Sequence, residues 1–100
     1  MEFDWDDGKN RENIRKHGLD FADAPMAFDG PVLARLDTRQ DYGEDRWVGI
    51  GLIHGRVVVL VFAQPRPEAI RVISLRKATK RESMLFEREV VRKLWNIEEN

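Results

Sequence analysis

The sequence predicts an α+β domain with two N-terminal helices, an antiparallel sheet of about four strands and a long C-terminal helix. Three observations carry that expectation. Residues 6–28 hold helix caps and stop signals at helical spacing. Residues 32–77 switch to alternating or wholly apolar runs divided by turn residues. From Lys80 onward, apolar residues return at the helical period over a broad arc. The 100 residues contain no repeat and no internal linker, so residues 1–100 are expected to form one domain around one core.

The first five residues alternate Phe3 and Trp5 with acids and read as a short edge strand whose aromatics plug one end of the core. Asp6 or Asp7 then caps a helix to about His17. Asp7 with Arg11 and Glu12 with Lys16 stand four residues apart, acid first, the favourable orientation. Gly18 supplies the left-handed residue that ends the helix, with Lys16 and His17 in its last turn. Asp20 opens the second helix, with Phe21, Ala24 and Phe28 on one side; a start capped by Asp23 would put Pro25 in the tolerated first turn. Asp29-Gly30-Pro31 stops it.

Residues 32–38 form the first strand of the meander, and residues 40–45 a polar, mobile loop. Residues 46–53 alternate, with Val48, Ile50 and Leu52 facing one way and Trp47, Gly49, Gly51 and Ile53 the other. The glycines leave a bare strip that suits close helix packing more than a ligand. His54-Gly55 makes a two-residue hairpin turn. Residues 56–62 are apolar on both parities, as a central, doubly covered strand requires. Residues 64–68, with two prolines, turn the chain into the strand at residues 70–75. Thr79-Lys80-Arg81-Glu82 then fits a capping box, and the last helix runs to about Ile97, its stripe made by Met84, Phe86, Val90, Val91, Leu94, Trp95 and Ile97. So wide a stripe leaves room for a partner chain beside the sheet.

Composition excludes several classes. There is no cysteine, hence no disulfide framework and no thiolate metal site; His17 and His54 are far apart in sequence, and no metal or cofactor is expected. No phosphate-cradling glycine loop is present. The N-terminus is acidic and the longest apolar run, residues 57–63, is too short to span a bilayer, which fits a cytoplasmic protein. Net charge is -1, but acids crowd the first residues while Arg and Lys dominate residues 66–93, so a near-neutral total hides a basic face.

The junction of the last strand and the last helix concentrates Arg76, Lys77, Lys80 and Arg81. Cations at a helix N-terminus oppose its dipole by roughly 0.3–1 kcal/mol each, unless an anion binds there. Arg46 and Arg56 open two strands, and these strand ends are expected to converge near the start of the last helix. Such a cluster suits the phosphates of an RNA backbone. Metal-free RNA cleavage needs removal of the 2′-OH proton, stabilisation of the phosphorane and protonation of the leaving oxygen. Guanidinium groups serve the second need. Lys77, Lys80 and His17 are the candidates for the proton exchanges.

Several motifs together carry a family resemblance. They are Phe3-Asp4-Trp5-Asp6 with Lys9 and Asn13; Lys16-His17-Gly18-Leu19-Asp20-Phe21 with Ala24 and Phe28; Arg46; and Arg71-Val72-Ile73-Ser74-Leu75-Arg76-Lys77-Ala78-Thr79 with Glu82. In this order, over almost the whole chain, the sequence resembles the BrnT family of ribonuclease toxins of bacterial type II toxin–antitoxin systems. The resemblance implies a RelE-like fold, RNA cleavage that arrests translation, and neutralisation by a BrnA-like antitoxin that also represses the operon. It implies site roles for Arg46, Arg56, Arg76 and Lys80 or Arg81, with Lys77 and Arg71 on the RNA. The family usually has Tyr where this chain has Phe86; that ring is expected to keep base stacking and to lack any proton-transfer role. Leu75 stands where the family more often has Ala, and Pro25 interrupts the second helix. The alternative is a catalytically inactive protein-binding domain of the same fold. A DNA-binding repressor is disfavoured by the lack of a helix–turn–helix signature.

Overall fold

The computed structural model describes residues 1–99, with side chains through Lys93. Strand β1 (Glu2–Trp5) leads into α1 (Asp7–His17), a 3-10 turn (Phe21–Asp23) and α2 (Ala24–Phe28). Strands β2 (Leu33–Leu36), β3 (Arg46–Ile53), β4 (Arg56–Arg66) and β5 (Ala69–Lys77) follow, and α3 (Lys80–Glu99) closes the order.

The local chemistry explains most of these bounds. Asp6 caps α1 by accepting from the Lys9 amide at 2.8 Å, and Gly18, at φ +68°, ends it by donating to the Ile14 carbonyl. The second helix is not continuous. Asp20 accepts from the Ala22 amide and starts a 3-10 turn, because Pro25 has no N–H with which to continue an α-helix from there. The α-helical part begins at Ala24 and carries Pro25 in its first turn. His54 and Gly55 both take positive φ, 51° and 74°, as a two-residue hairpin turn demands. β4 does not stop at Phe62 but runs on through Pro65 to Arg66; the missing proline N–H falls in the register break between Ala63 and Arg66.

The sheet has five strands in the order β1-β5-β4-β3-β2. β2 to β5 form the expected antiparallel meander. β1, however, lies parallel to β5, with Phe3 opposite Ile70 and Trp5 opposite Val72. The sheet is therefore mixed and has one strand more than expected.

Helices cover both faces. On the first face Val58, Leu60, Phe62, Ile70, Val72 and Leu75 pack with Phe21, Ala24 and Ala27. The bare strip of β3 belongs here: a Cβ at Gly49 would lie 3.0 Å from Val32 Cγ1, and one at Gly51 would lie 3.3 Å from the Ala27 Cβ. α1 is tied to the sheet edge by buried Asn13. Its Nδ2 donates to the carbonyls of Leu19 and Leu75, at 2.9 and 2.8 Å, while Oδ1 accepts from the Leu75 amide. One side-chain amide thus replaces a neighbouring strand where β1 has ended.

α3 lies on the second face, where Phe86 packs on Ile50 and Val59 with Val90 beside them. Only part of the expected stripe faces the sheet. Met84 and Val91 are exposed, and Leu94, Trp95 and Ile97 lie outside the described side chains. No helix among the described residues is long and apolar enough to cross a membrane.

Candidate functional site

The register decides which cations share a face. Arg46 and Arg71 both flank Ala63 of β4 in the ladder, one on each side, so their backbones stand about 9.5 Å apart. Arg76 pairs with Val59, and Arg35 with Val48, both on the face that α3 covers. Arg35, Arg46, Arg71 and Arg76 therefore project from the second face. α3 crosses that face over Ile50 and Val59, and Val48, Val61 and Ser74 are left half-open to solvent.

Arg56 and Lys77 are elsewhere. Arg56 pairs with Ile53, and Lys77 with Val58, both in the core of the first face. The expected convergence of Arg46, Arg56 and Arg76 does not occur. In an antiparallel meander the starts of β3 and β4 lie at opposite sheet ends, about 23 Å apart along β3. Arg56 and Arg76 do share an end, but on opposite faces. His17 is exposed in the last turn of α1, and its side chain makes no hydrogen bond or ion pair among the described residues. Phe86 is 4% exposed and packed in the α3 core, so base stacking is closed to it in this arrangement. Lys80 and Arg81 are exposed in the first turn of α3 beside Met84, Leu85 and Arg88.

Arg76 is the most firmly held of the four guanidinium groups on the second face. Its Nη1 and Nη2 donate to the two oxygens of Glu82 at 2.8 and 2.9 Å, a bidentate pair. The expected capping box holds Glu82 in place: the Thr79 amide donates to Glu82 Oε1 at 2.8 Å, and the Glu82 amide donates to the Thr79 hydroxyl at 3.2 Å. The Arg76 hydrogen bond draws the Glu82 carboxyl down to about 2 against partial burial, with help from the Thr79 amide; Glu82 in turn raises Arg76. The carboxylate is thus ionised, and the four-cation junction is partly neutralised from within.

At the far end the pairs are looser. Arg46 lies 4.2 Å below the Tyr42 ring and 3.7 Å from Glu44; its Nε is buried and donates to no acceptor. Arg71 reaches Glu44 at 3.5 Å and Asp4 at 3.6 Å. The polar loop at residues 37–45 has an anchor of its own. Buried Asp37 accepts from the Arg39 guanidinium at 2.8 and 2.9 Å, and from the Tyr42 hydroxyl at 3.1 Å. The Arg39 bonds hold the Asp37 carboxyl well below the usual carboxylate range.

Between these ends the sheet and α3 enclose a hollow of about 300 Å³. Val48, Ile50 and Val59 form its floor, Leu33 and Leu85 its walls, and Arg35 and Glu82 stand at its rim. Sequence reading missed Arg35 and this hollow. Arg35 stands two residues from Leu33 and so shares its strand face, which was readable; its place opposite Val48 was not. Among the described residues no three His, Asp or Glu side chains gather as a metal site. Chemically, the face offers one rigid guanidinium, several less constrained ones and an apolar seat between them.

Comparison with known proteins bears on this geometry. The crystal structure of the Brucella abortus ribonuclease toxin BrnT is similar: 34% of residues are identical, 80% of this chain and 99% of that chain are covered, and the TM-score is 0.60. A comparison with curated proteins found no match. The family model described as the ribonuclease toxin BrnT of type II toxin–antitoxin systems matches residues 5–82, from Trp5 to the Glu82 that clamps Arg76. That span takes in the meander and the start of α3, and by it the chain belongs to the BrnT family of ribonuclease toxins of type II toxin–antitoxin systems.

Proposed function

We propose that the protein is a metal-independent endoribonuclease acting in the cytoplasm, and that its RNA lies along the second sheet face. The observation that carries this reading is the bidentate Arg76–Glu82 pair on an open face shared with Arg35, Arg46 and Arg71. Arg76 Nη1 also donates to the Lys77 carbonyl at 3.2 Å, so the guanidinium is fixed on three contacts and its Nε–H and one Nη2–H remain for a ligand without reorganisation, the condition for stabilising charge on a phosphorane. Arg76 is assigned that role. Arg46 and Arg71, whose carboxylate contacts are at 3.5–3.7 Å, contact flanking phosphates. Lys80 and Arg81, at the exposed start of α3, immediately precede Glu82 and stand beside Leu85, which also walls the hollow on this face, and Lys80 is assigned proton exchange with the reacting atoms. Arg56 and Lys77 lie on the first face, His17 is at the end of α1 and Phe86 is buried beneath α3, so none of the four is given a role in this reading.

A BrnA-like antitoxin, in this reading, silences the toxin by covering the arginine face, and a RelE-type ancestry would account for the site's place beside the last helix. The test is cleavage of RNA by purified protein in excess chelator. Arg76→Ala should lower the cleavage rate about 10²–10³-fold, the size of losing one preorganised donor, with unchanged circular dichroism. Cleavage that stops on chelation would end the metal-independent reading. Full activity in Arg76→Ala would end the site assignment, and no cleavage by the unsubstituted protein, with antitoxin binding intact, would leave an inactive binding domain.

A further inference from the structure

We infer that the hollow between β2, β3, β4 and α3 is a nucleobase subsite, which makes the substrate a single-stranded stretch of RNA. The inference rests on the RNA path just proposed and adds what that path reads. The floor of Val48, Ile50 and Val59 is aliphatic and continuous with the α3 core, yet open from above. Its volume of about 300 Å³ lies at the small end of ligand pockets, the scale of one flat aromatic ring.

The rim supplies the rest of the match. Glu82 stands on it, and Glu82 holds Arg76, so a phosphate bound at Arg76 lies one side chain away from the hollow. Arg35 stands on the rim as well, within reach of a second phosphate. An apolar seat with guanidinium groups at its edge fits a nucleotide, whose base is flat and weakly polar on its faces and whose linkages are anionic. Glu82 Oε1 already accepts from Arg76 and from the Thr79 amide, whereas Oε2 accepts from Arg76 alone. Oε2 therefore keeps an acceptor position for an N–H on the edge of a seated base. A base inside a duplex is stacked and paired and does not enter; one in a loop or an unpaired strand does.

The hollow by the start of β2, lined by Pro31, Val32, Leu33, Glu89, Val90 and Lys93, is of similar size. It adjoins none of the four arginines, and the one cation of its lining, Lys93, shares that lining with the acid Glu89.

The test uses 2′-O-methyl RNA hexamers, which lack the attacking hydroxyl and stay intact. One carries a full set of bases, and the other has abasic sugars at every position. The unsubstituted protein should bind the base-bearing hexamer about tenfold more tightly, the size expected for seating one base face on aliphatic carbon. Val48→Gln crowds the seat with a polar chain that offers no ring to stack on, and should remove that preference while leaving affinity for the abasic hexamer in place. Leu85→Ala, on the exposed wall, should weaken the preference without touching the sheet. Equal binding of both hexamers by the unsubstituted protein overturns the base subsite, leaves the phosphate path standing and returns the hollow to a protein partner's side chain. A preference that survives both substitutions also overturns it. Failure to bind either hexamer counts against the RNA path itself.

Discussion

Glu82 does three things with one carboxylate: it caps α3, it clamps Arg76 and it lines the apolar hollow. The first was legible, since Thr79 and Glu82 have capping-box spacing. The second was not, because the sequence does not say that β5 turns sharply enough into α3 for Arg76 to reach forward. Asn13 was silent for a related reason. A polar residue on a charged helix looks solvent-facing until the helix is known to stand where strand pairing has ended. The clamp predicts a pH dependence. With its carboxyl drawn to about 2 from an ordinary 4.5, Glu82 stabilises the fold fully above pH 4.5, and that contribution is lost as pH falls through 2. Glu82→Gln should lower the melting temperature at neutral pH and converge with the unsubstituted protein near pH 2. Thermal melts across that window check it, and parallel curves would mean that the ion pair adds nothing to stability.

At the scale of elements, most of the pattern was written locally. Alternation gave β3, the double-parity apolar run gave β4, and His54-Gly55 gave the hairpin between them. What escaped is non-local. β1 joins the sheet from the far end of the chain, and no local pattern states that Phe3 will lie beside Ile70. The second helix broke at Pro25 because a missing N–H is tolerated only in a first turn. The glycine strip illustrates how an element's pattern becomes packing. A Cβ at Gly49 would meet Val32 Cγ1 at 3.0 Å and Phe62 Cε1 at 3.2 Å. The Phe62 ring has little freedom to yield, since Phe28 packs edge-on against it at 5.2 Å and Phe3 packs on Phe28. Gly49→Ala should therefore cost about 1–3 kcal/mol by overpacking, read as a lower urea midpoint at unchanged slope. Gly51→Ala, whose nearest neighbour is the Ala27 methyl at 3.3 Å, should cost less.

The whole molecule separates its cations by sheet face, and this separation is what net charge conceals. A total of -1 would argue against a polyanion partner if charge were spread evenly. Instead Arg35, Arg46, Arg71 and Arg76 share one face, while Arg56 and Lys77 occupy the other. The order of an antiparallel meander already implied that Arg46 and Arg56 start at opposite ends; it did not reveal that Arg71 and Arg76, of opposite parity in sequence, share a face, because the extra residue Ile73 shifts the register of β5 against β4 and resets its alternation. Salt dependence reads this separation directly. Each phosphate contact on a single strand contributes about 0.7 to the slope of log affinity against log salt, so four contacts give a slope near -2.8. Replacing Arg46, Arg71 or Arg76 by Ala should each flatten the slope by about 0.7 for a non-cleavable RNA, with little dependence on its sequence. Arg56→Ala, on the opposite face, should leave it unchanged. An equal loss at Arg56 would mean that the RNA wraps the end of the sheet at the β3–β4 hairpin rather than lying along one face, and the path through the α3 hollow would then have to be abandoned for one around the His54-Gly55 turn.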